Sequence, residues 1–247
     1  MSHIHIPDGI LPFYLWVPAY LITFFIIFLV IKRMDKEQVK RVLPFTGIAA
    51  ALMLIAMSVP LVIVPVHLSL AVLTGILIGP KMAFLVVFVV SVILATFGHG
   101  GITIVGINTL VIGSEVLVGS TLFRFLGKKH LTTGVIISVV VAVLVSMTMT
   151  IGIIGGAVGF EEVLPHTPHS HDENNVGNHN QETHQEREHI DEVVEQVNYL
   201  VFSGWMAVIL ILVVGIALEA VISLLIVRFF SKVKPDLLDT IHGFVQS

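Results

Sequence analysis

An all-α membrane protein is the fold class this sequence predicts: a bundle of about seven transmembrane helices, with an outer re-entrant segment and a disordered His- and acid-rich extracellular loop. Three observations predict it. The 247 residues are 55% hydrophobic and 12% charged, about half the charged share of an average soluble protein, and the mean hydropathy is +0.98. Uncharged apolar stretches near the ~20 residues that cross a bilayer recur along the chain. The basic residues fall between alternate stretches rather than at random.

The stretches cover 11–31, 43–66, 68–80, 82–97, 107–123, 131–158 and 200–227. No Lys or Arg precedes the first, and no small-residue cleavage site follows it, so it reads as a retained helix and not as a signal peptide. The third and fourth are short for a crossing, and Gly79-Pro80 between them predicts a tight turn, because proline disfavours helical backbone in the residue before it. Gly47 and Ala51, one helical turn apart, permit a close helix approach, and packing within the chain is the reading adopted over a partner helix. The chain divides accordingly into an external N-terminal segment 1–10, helices one to six over 11–158, a loop 159–198, and a last helix with a cytoplasmic tail over 199–247.

Loop charge sets the orientation, since Lys and Arg concentrate on the cytoplasmic side. Lys32, Arg33, Lys36, Lys40 and Arg41 follow the first span, and Lys81 lies between the third and fourth. Arg124, Lys128 and Lys129 follow the fifth, and Arg228, Lys232 and Lys234 follow the last. The N-terminus is then outside and the C-terminus cytoplasmic, with Arg187 the one basic residue on the outer side. His3, His5, His67, His99 and the loop histidines share that outer side, leaving His130 and His242 inside. Histidines gathered at one mouth of an apolar bundle point to capture of something there; the alternative for each is a residue that snorkels or caps a helix end.

Composition removes several chemistries. Cysteine is absent, which excludes disulfides, thiolate-held zinc, iron–sulfur clusters and thiol catalysis, so any metal is held by nitrogen or oxygen. No His-Glu-x-x-His motif occurs, and Gly127-Lys128-Lys129 does not complete a phosphate-binding loop, so the chain is expected not to hydrolyse ATP. The net charge of -4 gives no reason to propose nucleic acid as a partner. Residues 160–198 carry six histidines (His166, His169, His171, His179, His184, His189) and ten acidic residues, a composition that cannot build a core. His169 and His171 can chelate a divalent ion weakly, so the loop reads as a loose metal collector or a solvated linker.

At the N-terminus, a free amine followed within two residues by His offers amine, deprotonated amide and imidazole nitrogens to one ion, a set that suits square-planar Ni(II) or Cu(II). Three motifs then carry a resemblance. They are His5-Ile6-Pro7-Asp8-Gly9-Ile10-Leu11-Pro12; Val66-His67-Leu68 with Ala71, Gly75 and Leu77-Ile78-Gly79-Pro80; and Phe97-Gly98-His99-Gly100-Gly101-Ile102-Thr103 with Gly106, Asn108 and Thr109. With these the sequence resembles the CbiM/NikM family, the substrate-capture membrane components of energy-coupling-factor cobalt and nickel transporters, over roughly residues 5–120.

The resemblance implies a transported Co(II) or Ni(II), with no permanent cofactor, held by the terminal amine, the backbone nitrogen and imidazole of an adjacent His, and a second imidazole from the Val-His-Leu segment. His67 is the matching second imidazole. The chain departs from the family at its start, where four residues precede His5. If Met1 is removed, the Ser2 amine and His3 recreate the chelate; if it stays, Met1, Ser2 and His3 supply amine, amides and imidazole; His5 is the alternative. His99 and Asn108 are read as groups orienting a ligand imidazole, or as turn and cap residues. The resemblance also implies a prokaryotic inner membrane and four kinds of partner: the lipid bilayer, two cytoplasmic ATPase subunits, a transmembrane coupling subunit and a small accessory membrane subunit.

Glu115 and Glu219 are carboxylates within spans, costly in hydrocarbon and so expected to face protein or water. Glu115 is read as serving the metal path, and Glu219 as a hydrogen-bonded structural acid or one facing a partner. Two other functions are weighed: a self-sufficient proton-coupled carrier using Glu115, for which no inverted repeat is evident, and a haem electron carrier with His67 and His99 as axial ligands.

Overall fold

The computed structural model of the chain describes residues 12–59, 67–98, 100–158 and 209–234. These form seven helices and no strand: α1 Phe13–Lys32, α2 Lys36–Ser58, α3 Ala71–Ile78, α4 Pro80–Thr96, α5 Val105–Leu126, α6 Leu131–Val158 and α7 Ile209–Val233. Five of them are long and apolar enough to cross a membrane, and α4, with 17 residues, is shorter.

Local chemistry accounts for the helix limits. Asp35 caps α2, accepting from the Glu37 N–H at 3.2 Å, as a short carboxylate does for the orphan donors of a first turn. The α2 helix therefore begins among charged residues, earlier than the apolar stretch, and ends at Ser58 although apolar sequence continues. Gly79 closes α3 at φ 81 and Pro80 starts α4 at its first position, where its missing N–H costs nothing. The Gly79-Pro80 turn expected from the sequence is present.

The third expected span needs correction. α3 has eight residues, all of them buried, so it rises only about 12 Å against a hydrocarbon core of about 30 Å. It enters the bundle without crossing it. In the glycine run after α4, to which the sequence pointed as re-entrant, Gly98 has φ 79 and Gly100 φ 94, while His99 between them lies outside the described residues.

Around α3 the helices close as a shell. Twelve of the 22 residues of α5 are buried, against Ala19 and Thr23 in α1, and α5 packs on α1, α3, α4 and α6. Close approach depends on glycine. A Cβ on Gly119 would lie 2.6 Å from a Val72 methyl, and one on Gly106 would lie 2.8 Å from the backbone nitrogen of Tyr20. Gly47 and Ala51, in contrast, are exposed, and a Cβ on Gly47 meets nothing within 4 Å. This corrects the expectation that they serve packing within the chain, as far as the described residues go. Outward faces are as apolar as the interior, with Phe24, Phe25 and Phe28 of α1 and Leu225 and Phe229 of α7 exposed, which suits lipid and not water.

Adding a methyl at Gly106 forces α1 backbone away, because the obstructing atom belongs to the main chain and cannot rotate aside. Gly106→Ala is expected to destabilise by about 1–3 kcal/mol, the usual cost of overpacking, while Gly47→Ala is neutral or stabilising by up to about 1 kcal/mol through helix propensity. Thermal unfolding midpoints in detergent check the contrast.

Candidate functional site

Residues 67–70 lead into α3 in non-helical backbone. His67 is half-buried, while Leu68, Ser69 and Leu70 are buried. Irregular backbone at membrane depth survives only where protein covers it and satisfies its polar groups. Here two acids from other helices do so. Glu219 of α7 accepts the Leu70 N–H at 3.1 Å and, more weakly, the Ser69 N–H at 3.4 Å. The Ser69 hydroxyl lies 2.7 Å from Glu219 Oε1 and 2.6 Å from Glu115 Oε1, and its oxygen accepts the Ala71 N–H at 3.2 Å.

These bonds explain a strained residue. Leu70 adopts the left-handed conformation at φ 50, ψ 22, which costs a branched L-residue about 1–2 kcal/mol. Leaving the buried Leu70 N–H unpaired would cost about 1–3 kcal/mol, so its bond to Glu219 offsets the strain. The left-handed turn then delivers the Leu70 carbonyl to the Thr74 N–H at 2.9 Å, opening α3.

The cluster is closed to solvent. Glu115, Glu219 and Ser69 are each 0% exposed, and both oxygen–oxygen distances fall in the short range of O–H bonds to carboxylates. The Ser69 hydroxyl thus joins two acids from different helices in one buried polar cluster.

A second set of bonds anchors α1, whose N-terminal end carries residues 1–11. Thr23 donates to the Gly106 carbonyl at 3.0 Å, and the Tyr20 hydroxyl donates to the Ile102 carbonyl. Asn108 is half-buried in the first turn of α5, its N–H on the Ile104 carbonyl at 2.9 Å. It sits two turns before Glu115 and so on the same face of α5.

At the far end of α3, Met34, Asp35, Ile78, Gly79, Lys81 and Arg124 line a cavity of ≈ 330 Å³. Lys81 Nζ donates to the Arg33 carbonyl at 2.9 Å. Three of the loop cations are thus gathered at one end.

Of the residues singled out in the sequence, Met1, Ser2, His3, His5 and His99 lie outside the described residues, as does the loop with His169 and His171. His67 and Asn108 are described. Among the described residues no group of three His, Asp or Glu side chains is placed to hold a metal. Sequence reasoning missed the joining of Glu115 to Glu219 through Ser69. Its one signal was the cost of each acid in hydrocarbon.

Comparison with known proteins now bears on this geometry. The family model for CbiM, described as the cobalt uptake substrate-specific transmembrane region, matches residues 5–237. No curated relative matches. A solved crystal structure of a transition metal transporter superposes with a TM-score of 0.63 at 21% identity, covering 98% of this chain and 97% of that one. A truncated transition metal transporter gives 0.62 at 20% identity, covering 93% and 99%. At these identities the likeness to solved structures is one of fold.

Removing the shared hydroxyl strands buried partners on three sides. Ser69→Ala is expected to destabilise by about 1–3 kcal/mol or more. Ser58→Ala, which removes only a bond to the Leu54 carbonyl one turn back, is expected to change stability by less than about 0.5 kcal/mol. Parallel thermal melts of the two variants test this.

Proposed function

The chain belongs to the CbiM family of cobalt uptake substrate-specific transmembrane components, and from that premise we propose that it captures Co(II) or Ni(II) at the outer mouth of its bundle for delivery to the cytoplasm. The ligands in this reading are His67, the terminal amine of Met1 or Ser2, and the backbone nitrogen and imidazole of His3, with His5 the alternative to His3. Such neutral nitrogen donors suit late first-row divalent ions. His99 and Asn108 orient the ligating imidazoles.

The observation that supports this reading most is the setting of His67. The described residues include two histidines. His130 is exposed between α5 and α6, whereas His67 is half-buried on non-helical backbone that other helices hold in place. One imidazole does not bind a metal tightly, and the N-terminal segment, which enters α1, supplies the remaining donors. The gathering of Arg33, Lys81 and Arg124 at the other end of α3 supports the orientation with the N-terminus outside. Conformational work is assigned to partners: two cytoplasmic ATPase subunits, a transmembrane coupling subunit and a small accessory membrane subunit.

His67→Ala is expected to abolish stoichiometric retention of Ni(II) or Co(II) through gel filtration, while deletion of 165–190 leaves it nearly intact. Loss of the tight site on loop deletion alone would overturn this placement. Because imidazole, amine and amide donors bind metal only without their protons, retention falls as pH is lowered. Metal analysis of protein equilibrated across a pH series measures it.

A further inference from the structure

We propose that Glu219 is a positioning residue for His67: by holding the backbone of Ser69 and Leu70, it sets where the His67 imidazole stands. The inference rests on the reading of His67 as a metal ligand.

Residues 67–70 belong to no helix or strand, so no repeating ladder fixes them. The Ser69 and Leu70 N–H groups are instead held from across the bundle. Glu219 lies 149 and 150 residues away in sequence, yet its two oxygens accept successive main-chain N–H groups, those of Ser69 and Leu70. Two acceptors in one rigid carboxylate define the plane of that backbone, and they hold Leu70 in the left-handed conformation that reverses the chain ahead of α3. His67 is two residues upstream of Ser69, with Leu68 buried between them. Short buried backbone of this kind transmits its orientation to the next side chain, because no solvent-exposed slack lies between.

Glu115 has a different part. It accepts from the Ser69 hydroxyl at 2.6 Å, a contact to a side chain of the segment. Glu219 has no neutral substitute: in a glutamine the oxygen can keep the Leu70 N–H and the Ser69 hydroxyl, but the NH₂ then faces the Ser69 N–H, donor against donor.

The test uses the full-length protein in detergent, loaded with Ni(II) alone. It reads both the affinity and the visible ligand-field band, which reports planar nitrogen ligation and is indifferent to fold stability. Glu219→Leu is expected to weaken Ni(II) binding by about 10–100-fold, the range seen when groups behind a ligand are removed, and to shift or erase the band. Glu219→Gln recovers part of both, and Ser58→Ala, which lies outside the cluster, stays within about threefold of wild type with an unchanged band. Helical circular dichroism and gel-filtration elution identify folded variants. If Glu219→Leu does not fold, Glu219→Gln decides, and wild-type affinity and band in that variant overturn the inference. His67→Ala runs alongside. Retention of metal by His67→Ala sinks the capture reading itself, whereas loss there, with a folded Glu219→Leu that binds as wild type, sinks only the positioning role.

Discussion

A helix that begins inside a membrane has to find partners for its first N–H groups without water, and the answer to that constraint organises this protein. At the entry to α3 the Ser69 oxygen accepts the Ala71 N–H, Glu219 of α7 accepts the Ser69 and Leu70 N–H groups just before the helix, and Glu115 of α5 accepts from the Ser69 hydroxyl. An orphaned N–H in hydrocarbon costs several kcal/mol, so the acids are less a burden on the bundle than the condition for its central element. In exchange, the backbone donors give the buried Glu219 carboxyl the partners it would lack in hydrocarbon. Each group makes the others tolerable, and none of the three fits the site alone.

The same logic runs through the packing. Lipid tails are as apolar as leucine, so burying leucine against another helix yields little preference over leaving it in the bilayer. Specific approach then has to come from small residues and buried polar bonds. Gly119 admits Val72 of α3 against α5, Gly106 admits the α1 backbone against the start of α5, and Thr23 and Tyr20 of α1 lock onto carbonyls there. Where such devices are absent, as over most of α1, side chains simply face outward.

How much of this the sequence discloses follows from what a hydropathy pattern measures. The long helices α1, α5, α6 and α7 are legible, because crossing a bilayer demands length and apolarity in one continuous stretch. Gly79-Pro80 is legible because its turn chemistry is local. The eight-residue α3 is not, since an apolar run looks the same whether lipid or protein surrounds it; only the burial of all eight side chains separates the two. Nor is the acid pair, because Glu115 and Glu219 meet Ser69 across 46 and 150 residues, with no spacing rule to join them. Each acid could be flagged singly as expensive. Their joining through one serine is a property of three elements folded together. Of the candidate ligands, His67 is legible by motif, whereas its irregular, braced backbone is visible only in three dimensions.

A ligand carried on such backbone behaves differently from one carried on a helix. A histidine on a helix keeps its place as long as the helix persists, and moving it requires unwinding or shifting an entire element. His67 stands instead on a segment whose main-chain bonds run to α7, so a displacement of α7 relative to α5 changes the segment's restraints while every helix stays intact. The α7 helix ends in Arg228, Lys232 and Lys234, and Arg228 bonds to Thr132 at the start of α6. The element that braces the capture segment is therefore also one whose far end lies with the basic loops. On the proposed reading of His67 as a ligand, that connection links metal affinity to helix movement without breaking the fold that the acid cluster maintains.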